Sequence, residues 1–334
     1  MKRASVFLLF ILLAGVVFAG GNSEGKYKFG WYVPAPHPTF EANMIGVNRF
    51  IKETGIQVTT QIGPDWNQAN ETQRVQAMAA KGIKQFAICP ADGEAAKALF
   101  SELKEQGISV INFCIPTTAP NPATMLIATD VDAAARQAAE ALVKAIGGKG
   151  NILNVLEMLS DTNTAIRKKA VEETVAKYPN VKIVQTIADM STVAEATQKV
   201  TDGLSSNINN IDGIIATGFT TTIAISNTLS DYYARGGKKV IKAIGIDYDD
   251  TIIKAIKEGI LFATIAQNPQ GQSYLALTIM KYLADGWKVR DGAFYINAGT
   301  AVVTKENVGT FGADIEKITA GIKADLETKY LVKK

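Results

Sequence analysis

Short β-branched apolar runs alternate with helical stretches along this chain. "KFGWYV", "IQVTTQI", "KQFAIC" and "ISVINFC" have strand length and composition. Between them lie "FEANMIGVNRFIKETG" and "NETQRVQAMAAKG", the second ending at Gly82 as a helix stop should. After "TMLIATD" the alternation restarts with "GNILNVLEML", "VKIVQTIAD", "IDGIIATG", "KVIKAIGID" and "LFATIAQ". Runs this apolar predict strands buried on both faces, hence parallel sheets covered by helices. Two such series predict an α/β protein of two doubly wound, Rossmann-like lobes. Ligands of such folds sit beyond the carboxyl ends of the strands. Here those ends carry the polar oddities: "AIGID" stops on Asp247, and "FATIAQNP" stops on Gln267 and an Asn-Pro.

The 334 residues, 47% hydrophobic and 20% charged, are enough for two such domains. A net charge of +3 is small, and Lys and Arg are scattered with no basic stripe among aromatics. A nucleic-acid partner is therefore not expected. The first residues, "MKRASVFLLFILLAGVVFAGG", place two cations before an apolar run and then small residues. This reads as a secretory signal peptide, 1–19, cleaved after Val17-Phe18-Ala19, with an uncleaved anchor as the alternative. "LLAGV" is a lipoprotein box with Val16 in place of its cysteine, so a soluble exported or periplasmic protein is expected. "GGNSEG" then opens a flexible leader, 20–26.

Enzyme chemistry finds little to work with. There is one histidine, His37, which excludes a multi-His metal site. No G-x-S-x-G elbow and no phosphate-binding G-x-x-x-x-G-K-[ST] loop occurs, and "GGKGN" precedes a strand, so it reads as a turn. We expect no catalysis, no metal and no cofactor. His37 lies between two prolines after the first strand, where a loop contact or a ligand hydrogen bond is favoured over a catalytic base. Cys89 and Cys114 end two predicted strands. An exported protein can oxidise such a pair, but side chains opposed on adjacent strands often have poor disulfide geometry. Two free thiols are the expectation.

The strand-end set comprises Phe40, Asn112, Asp130, Arg167, Asp247 and Gln267, with Trp31, Trp66 and Phe219 nearby in sequence. One cation, carboxylates, amides and rings together suit a neutral polyhydroxyl ligand. Carboxylates take its hydroxyl protons, Arg and amides donate, and rings cover its C–H face. A phosphate would call for more cations or free helix N-termini. Some members have plainer alternatives. Asp130 and Asp132 are candidate caps for "AAARQAAEALVKAIG", as Asp249 and Asp250 are for "TIIKAIKEG", and Trp31 fits a core as well as a site.

At this point the chain resembles the ribose-binding-protein-like periplasmic sugar-binding proteins, the substrate-binding parts of ABC importers. The likeness runs from Tyr27 to about Thr304. It rests on "PHPTFEANMIGVNRF", "FAICPADGEAAKALFSELKEQGISVINF", "TAIRKKAVEETVAKYP" and, most extensively, "AIGIDYDDTIIKAIKEGILFATIAQNP". The resemblance implies that Arg167, Asp247 and Gln267 bind ligand and that Phe40 stacks on it. His37 stands where the family has an asparagine, Thr39 and Met190 where it has phenylalanines, and Cys114-Ile115 where ribose binders carry Asp-Arg. Gly218, followed by Phe219, replaces another asparagine. With about half the ribose contacts changed, another neutral monosaccharide or a polyol is expected, and Asn112 and Phe219 are candidates for replacement contacts.

The resemblance also implies three hinge crossings, near Thr129–Asp130, Gln267–Asn268 and Asn297–Thr300, with closure over the ligand. The N-terminal lobe would be 27–129 plus 268–299, and the C-terminal lobe 130–267 plus 300–334. The tail "GADIEKITAGIKADLETKYLVKK" reads as an added helix with a solvated Lys-rich end. The implied partner is the membrane permease, and a monomer is expected. The alternative is a sensor that shows the closed form to a chemoreceptor or sensor kinase. A repressor of the same fold would need an N-terminal helix-turn-helix, and an export signal stands there instead.

Overall fold

A computed structural model describes residues 25–333, so the expected signal peptide and most of the leader lie outside the described residues. The first strand, β1 (Phe29–Val33), is buried along its whole length. Trp31 and Val33 turn to one core and Tyr32 to another, because successive side chains alternate across a sheet. α1 (Pro38–Thr54), β2 (Val58–Ile62), α2 (Gln68–Ala80), β3 (Gln85–Ile88), α3 (Ala96–Glu105), β4 (Ser109–Phe113) and β5 (Met125–Ala128) follow.

The chain then crosses to a second series. This contains α4 (Val131–Ala145), β6 (Gly150–Val155), α5 (Thr162–Val175), β7 (Val181–Ile187), α6 (Val193–Asn207), β8 (Gly213–Ala216), α7 (Phe219–Ala234), β9 (Lys242–Ile246), α8 (Asp250–Glu258) and β10 (Ala263–Ala266). It returns through α9 (Pro269–Ala284), β11 (Trp287–Val289) and β12 (Tyr295–Asn297), and crosses again to β13 (Ala301–Thr304).

The two six-stranded sheets have matching orders, β12-β5-β4-β3-β1-β2 and β13-β10-β9-β8-β6-β7. All pairings within them are parallel except the antiparallel β10–β13. Each sheet carries an apolar core on both faces. α1 and α9 cover one face of the first sheet and α2 and α3 the other. α4 and α5 cover one face of the second, and α6, α7 and α8 the other. This is the doubly wound two-lobe architecture that the strand runs predict, because strands with two dry faces must be sandwiched.

The crossings are tied to one another. Asn268 caps α9 through the Gly271 amide and donates to the Ala298 carbonyl and to Thr319 Oγ1, each at 2.8–2.9 Å. Asn297 Oδ1 accepts from the backbone N–H of Asp130 and of Gly299.

The tail departs from expectation. α10 (Phe311–Asp325) begins in the core of the second lobe, at Phe311 and Ile315. After a π-helical turn, Leu326–Tyr330, the chain ends in β14 (Leu331–Lys333), antiparallel to β11. Leu326 and Leu331 lie in the core built on Phe29 and Trp31. Assigning 300–334 wholly to the second lobe is therefore corrected: the last residues rejoin the first. The reason is apolar burial, reinforced by Arg49–Glu316 and Lys323–Glu53 ion pairs that hold α10 to α1. The added helix is present as α10, and beyond it the Lys-rich end is exposed, as expected, but is a paired strand whose Leu331 is buried.

Candidate functional site

Asp247 leaves β9 with φ of +74°, a left-handed conformation that costs a non-glycine residue on the order of 1 kcal/mol or more. Its backbone is held in that shape from both sides. The N–H donates to Ile265 O at 2.9 Å, and the carbonyl accepts from Thr264 Oγ1 at 2.7 Å. The side chain is thereby aimed away from the helix that follows. Asp249 is the residue that caps α8, accepting from Ile252 N at 2.8 Å. Asp247 Oδ1 instead accepts from Gln267 Nε2 at 2.7 Å, so the two strand-end groups meet. Burial raises the Asp247 carboxyl above the usual aspartate range, and Arg167 and the Gln267 amide act against that rise.

Arg167 projects from α5, whose start is fixed by Asp161 accepting from the Asn163 and Thr164 amides. Arg167 is 6% exposed, yet among the described residues its Nε has no hydrogen-bond partner and its guanidinium makes no salt bridge. A buried cation with free donors is costly unless something polar meets it. Asn163 Oδ1, one turn back on the same helix, and Thr217 Oγ1, just past β8, are also buried and unpartnered.

A third charged group, absent from the sequence-based set, completes this half. Glu157 lies just beyond β6. Its Oε1 accepts from Thr220 N, in the first turn of α7, at 2.8 Å. Burial raises its carboxyl, while the Arg167 charge and the Thr220 N–H lower it and Asp247 pushes it up. Gly218 makes room for it: a Cβ at 218 would stand 2.4 Å from Glu157 Cδ. The signal for Glu157 was available, since it is the first polar side chain past its strand, but "NVLEML" reads as continuous strand and hides it.

The first lobe contributes rings. His37 caps α1, its Nδ1 accepting from Thr39 N at 3.2 Å, and Pro38 opens the helix. Phe40 is buried, with its ring centroid 5.8 Å from that of Trp66 and 5.8 Å from that of His37. The His37 ring also lies 5.7 Å from Phe219, at the start of α7 in the other lobe. The lobes therefore meet through an edge-to-face aromatic contact. Burial lowers the His37 pKa and Glu41 opposes this, so the neutral imidazole is favoured there. Trp31 is core: it is buried, stacks on Phe113 and donates Nε1–H to Ser273 Oγ.

Two of the sequence-based candidates, Asn112 and Asp130, have other work. Asn112 is fully engaged by the loop that follows it and by the end of β3. Its amide donates to Ile88 O and Ile115 O, and its oxygen accepts from Thr117 N and Asn121 Nδ2. That uses every hydrogen-bonding position of an amide, so Asn112 is corrected to a loop organiser. Asp130 caps α4 through Oδ1, accepting from Ala133 N at 2.9 Å. Cys114, with φ of +65°, is partly exposed just past β4, and it and the buried Cys89 are free thiols.

A cavity of about 200 Å³ lies behind the crossings, lined by Arg49, Tyr248, Asn268 and Phe311 among others. Arg167, Asp247, Gln267, Glu157, His37, Phe40 and Phe219 do not border it, and the cleft has the unpartnered buried polar atoms, so the cleft is the candidate site. Among the described residues no group of three or more His, Cys, Asp or Glu is placed to hold a metal, and no helix is long and apolar enough to cross a membrane.

Two doubly wound lobes, joined by repeated crossings and meeting over a polar and aromatic cleft, define a two-lobe binding protein of the ribose-binding-protein-like class. Residues 34–288 match the family described as periplasmic binding protein domain, and the chain belongs to that family. It is 24% identical over 268 residues to a xylitol-binding protein of Mycolicibacterium smegmatis, covering 79% of this chain and 73% of that one. It is 23% identical over 293 residues to a D-apiose import binding protein of Paraburkholderia graminis, covering 87% and 91%. Among solved structures, a solute-binding protein of Bacillus halodurans with bound myo-inositol superposes with a TM-score of 0.78 at 16% identity, covering 88% of this chain and 99% of that one. One from Burkholderia graminis in complex with D-arabinose gives 0.77 at 20% identity, covering 86% and 98%.

Proposed function

We propose that this chain is the exported substrate-binding subunit of an ABC importer and holds a neutral monosaccharide or polyol between its lobes. The observation that carries this reading is the buried Arg167 guanidinium with an unpartnered Nε, set among Asp247, Gln267 and Glu157, with the His37, Phe40 and Phe219 rings meeting where the lobes join. A sugar hydroxyl donates one hydrogen bond and accepts two, so such a ligand uses both the carboxylates and the guanidinium. Its C–H face suits rings. The relatives named for xylitol and D-apiose agree with that class.

No bond is made or broken in this role. Closure about the crossings buries the ligand, and the closed form is what a membrane permease reads. In this reading Arg167, Asp247 and Gln267 hold hydroxyls, Phe40 and Phe219 cover the ring or chain, and His37 seals the mouth. Gly218 acts by leaving space, and Cys114 forms part of the less polar wall.

A thermal-shift screen of neutral pentoses, hexoses and polyols tests the ligand class. A compound that binds only the folded protein adds about 2.7 kcal/mol at 100 times its Kd, an easily read shift in Tm. Silence across that panel, with a response to amino acids or nucleosides instead, sinks the ligand assignment. Uptake of the responding compound in a strain lacking the gene separates import from sensing, since a pure sensor leaves uptake intact.

A further inference from the structure

We propose that Glu157 is a specificity-determining ligand contact, a second hydroxyl-accepting carboxylate delivered into the place that a side chain at position 218 would fill. The inference rests on the binding role proposed above and narrows its substrate class. Three observations carry it. Gly218 has nothing to offer a ligand, and its missing Cβ would lie 2.4–2.7 Å from the Cδ, Cγ and Oε2 atoms of Glu157. Glu157 Oε1 is pinned by Thr220 N, which fixes the orientation of the carboxylate and leaves Oε2 uncommitted. Arg167, buried and with an unpartnered Nε, is the positive charge that acts on both Glu157 and Asp247.

The chemical consequence follows from counting charges. Two carboxylates share one guanidinium, so the polar wall is rich in acceptors and carries net negative charge when both acids are ionised. Such a wall takes hydroxyl protons from neighbouring carbons of an uncharged ligand. It repels the acid made by oxidising that ligand, because like charges in a poorly solvated cleft interact strongly. The substrate class is thus a neutral sugar or polyol presenting adjacent hydroxyls, with aldonic and uronic acids rejected.

The test uses Glu157→Gln, which keeps an oxygen for the Thr220 amide while removing the charge. Gly218→Ala serves as a second variant that displaces the carboxylate with its charge intact. The probes are xylitol, D-arabinose, D-allose and myo-inositol, with gluconate and galacturonate as acids, measured by calorimetry and by melting of the ligand-free proteins. The expected result for Glu157→Gln is a Kd for the best neutral probe weakened by about tenfold or more, as for loss of a hydrogen bond to a charged group. Its preference for neutral over acidic probes should narrow, and its ligand-free melt should hold. Gly218→Ala should weaken binding of the neutral probe as well. Wild-type affinity and discrimination in both variants overturns this proposal alone. A wild-type protein that prefers the acids overturns it together with the ligand class on which it rests.

Discussion

The two lobes share one scaffold and carry different chemistry on it. Cys114 ends β4 and Asp247 ends β9, which occupy equivalent places in the two sheets. Both take a left-handed φ, and each donates its backbone N–H to the neighbouring strand, to Ile127 O and Ile265 O respectively. The shared backbone shape follows from how the chain leaves a parallel strand, and it leaves the side chain open. The first lobe places a thiol there, and its cleft rings are Phe40, His37 and Trp66. The second places a carboxylate, beside Arg167 and Glu157. The two walls are therefore asymmetric: the charges lie on the second, while the rings come from the first lobe and from Phe219 of the second.

The sharpest way to break this comparison is to discharge the second wall. Arg167→Met should weaken binding of the best neutral sugar by roughly 100-fold or more, since at least two charge-assisted hydrogen bonds are lost. The ligand-free melt should fall less than the affinity does, because Met removes the cost of a buried cation but leaves Glu157 and Asp247 without their opposing charge. Calorimetry with a parallel melt decides: a large loss of stability with unchanged Kd would make Arg167 a structural residue.

Both lobes bury acids, and the first lobe's acid should behave differently. Glu71 is fully buried on α2, accepts from Ala91 N and Gln68 Nε2, and has its pKa pushed up to about 7 from an ordinary 4.5. Between these values the folded state holds a proton that the unfolded chain has released. Its contribution is therefore complete below pH 4.5 and is lost as the pH rises through 7, by about 3 kcal/mol. Glu71→Gln should flatten that slope in melts taken from pH 4 to 8 and leave sugar affinity alone.

Asp247→Asn comes next, because asparagine tolerates the left-handed backbone and keeps a partner for Gln267. A weakening of about tenfold with an unchanged ligand-free melt is expected. If the melt falls and the Kd stays, Asp247 serves the turn instead.

On the ring wall the effects should be smaller. Trp66, half exposed, backs Phe40, and Trp66→Ala should cost about 0.5–1.5 kcal/mol of affinity through the lost ring contact. An effect as large as that of Arg167→Met would remove the asymmetry.

The smallest effect is that of pH on closure. Burial holds His37 neutral against Phe219, so an opened cleft takes up the proton more readily. Affinity should be flat above pH 7 and weaken a few-fold as the pH falls below about 6.5, the ordinary imidazole value. His37→Asn, which can still cap α1, should remove the histidine part of that slope, and an unaltered profile would place it in the carboxylates.

Much of this molecule was legible along the chain. Strand runs with two apolar faces dictate sandwiched parallel sheets, and their restart after Thr129 marks the second lobe. Asp247 and Gln267 were legible because each interrupts such a run at its carboxyl end, where a doubly wound fold exposes side chains. Local capping was legible too, as at Asp249 and Asp130, because an N-cap acts within three residues. Sequence position could not say that Asn112 spends its whole amide on the following loop and the end of β3, since that depends on where Ile88, Thr117 and Asn121 return in space. Nor could it say that Glu157 fills the room left by Gly218, 61 residues later, that His37 meets Phe219 across the cleft, or that the last strand pairs with β11. Periodicity and propensity report on near neighbours and on which faces must be dry. Contacts between lobes, and the pairing of buried charges, are decided only when distant strand ends are brought to one place.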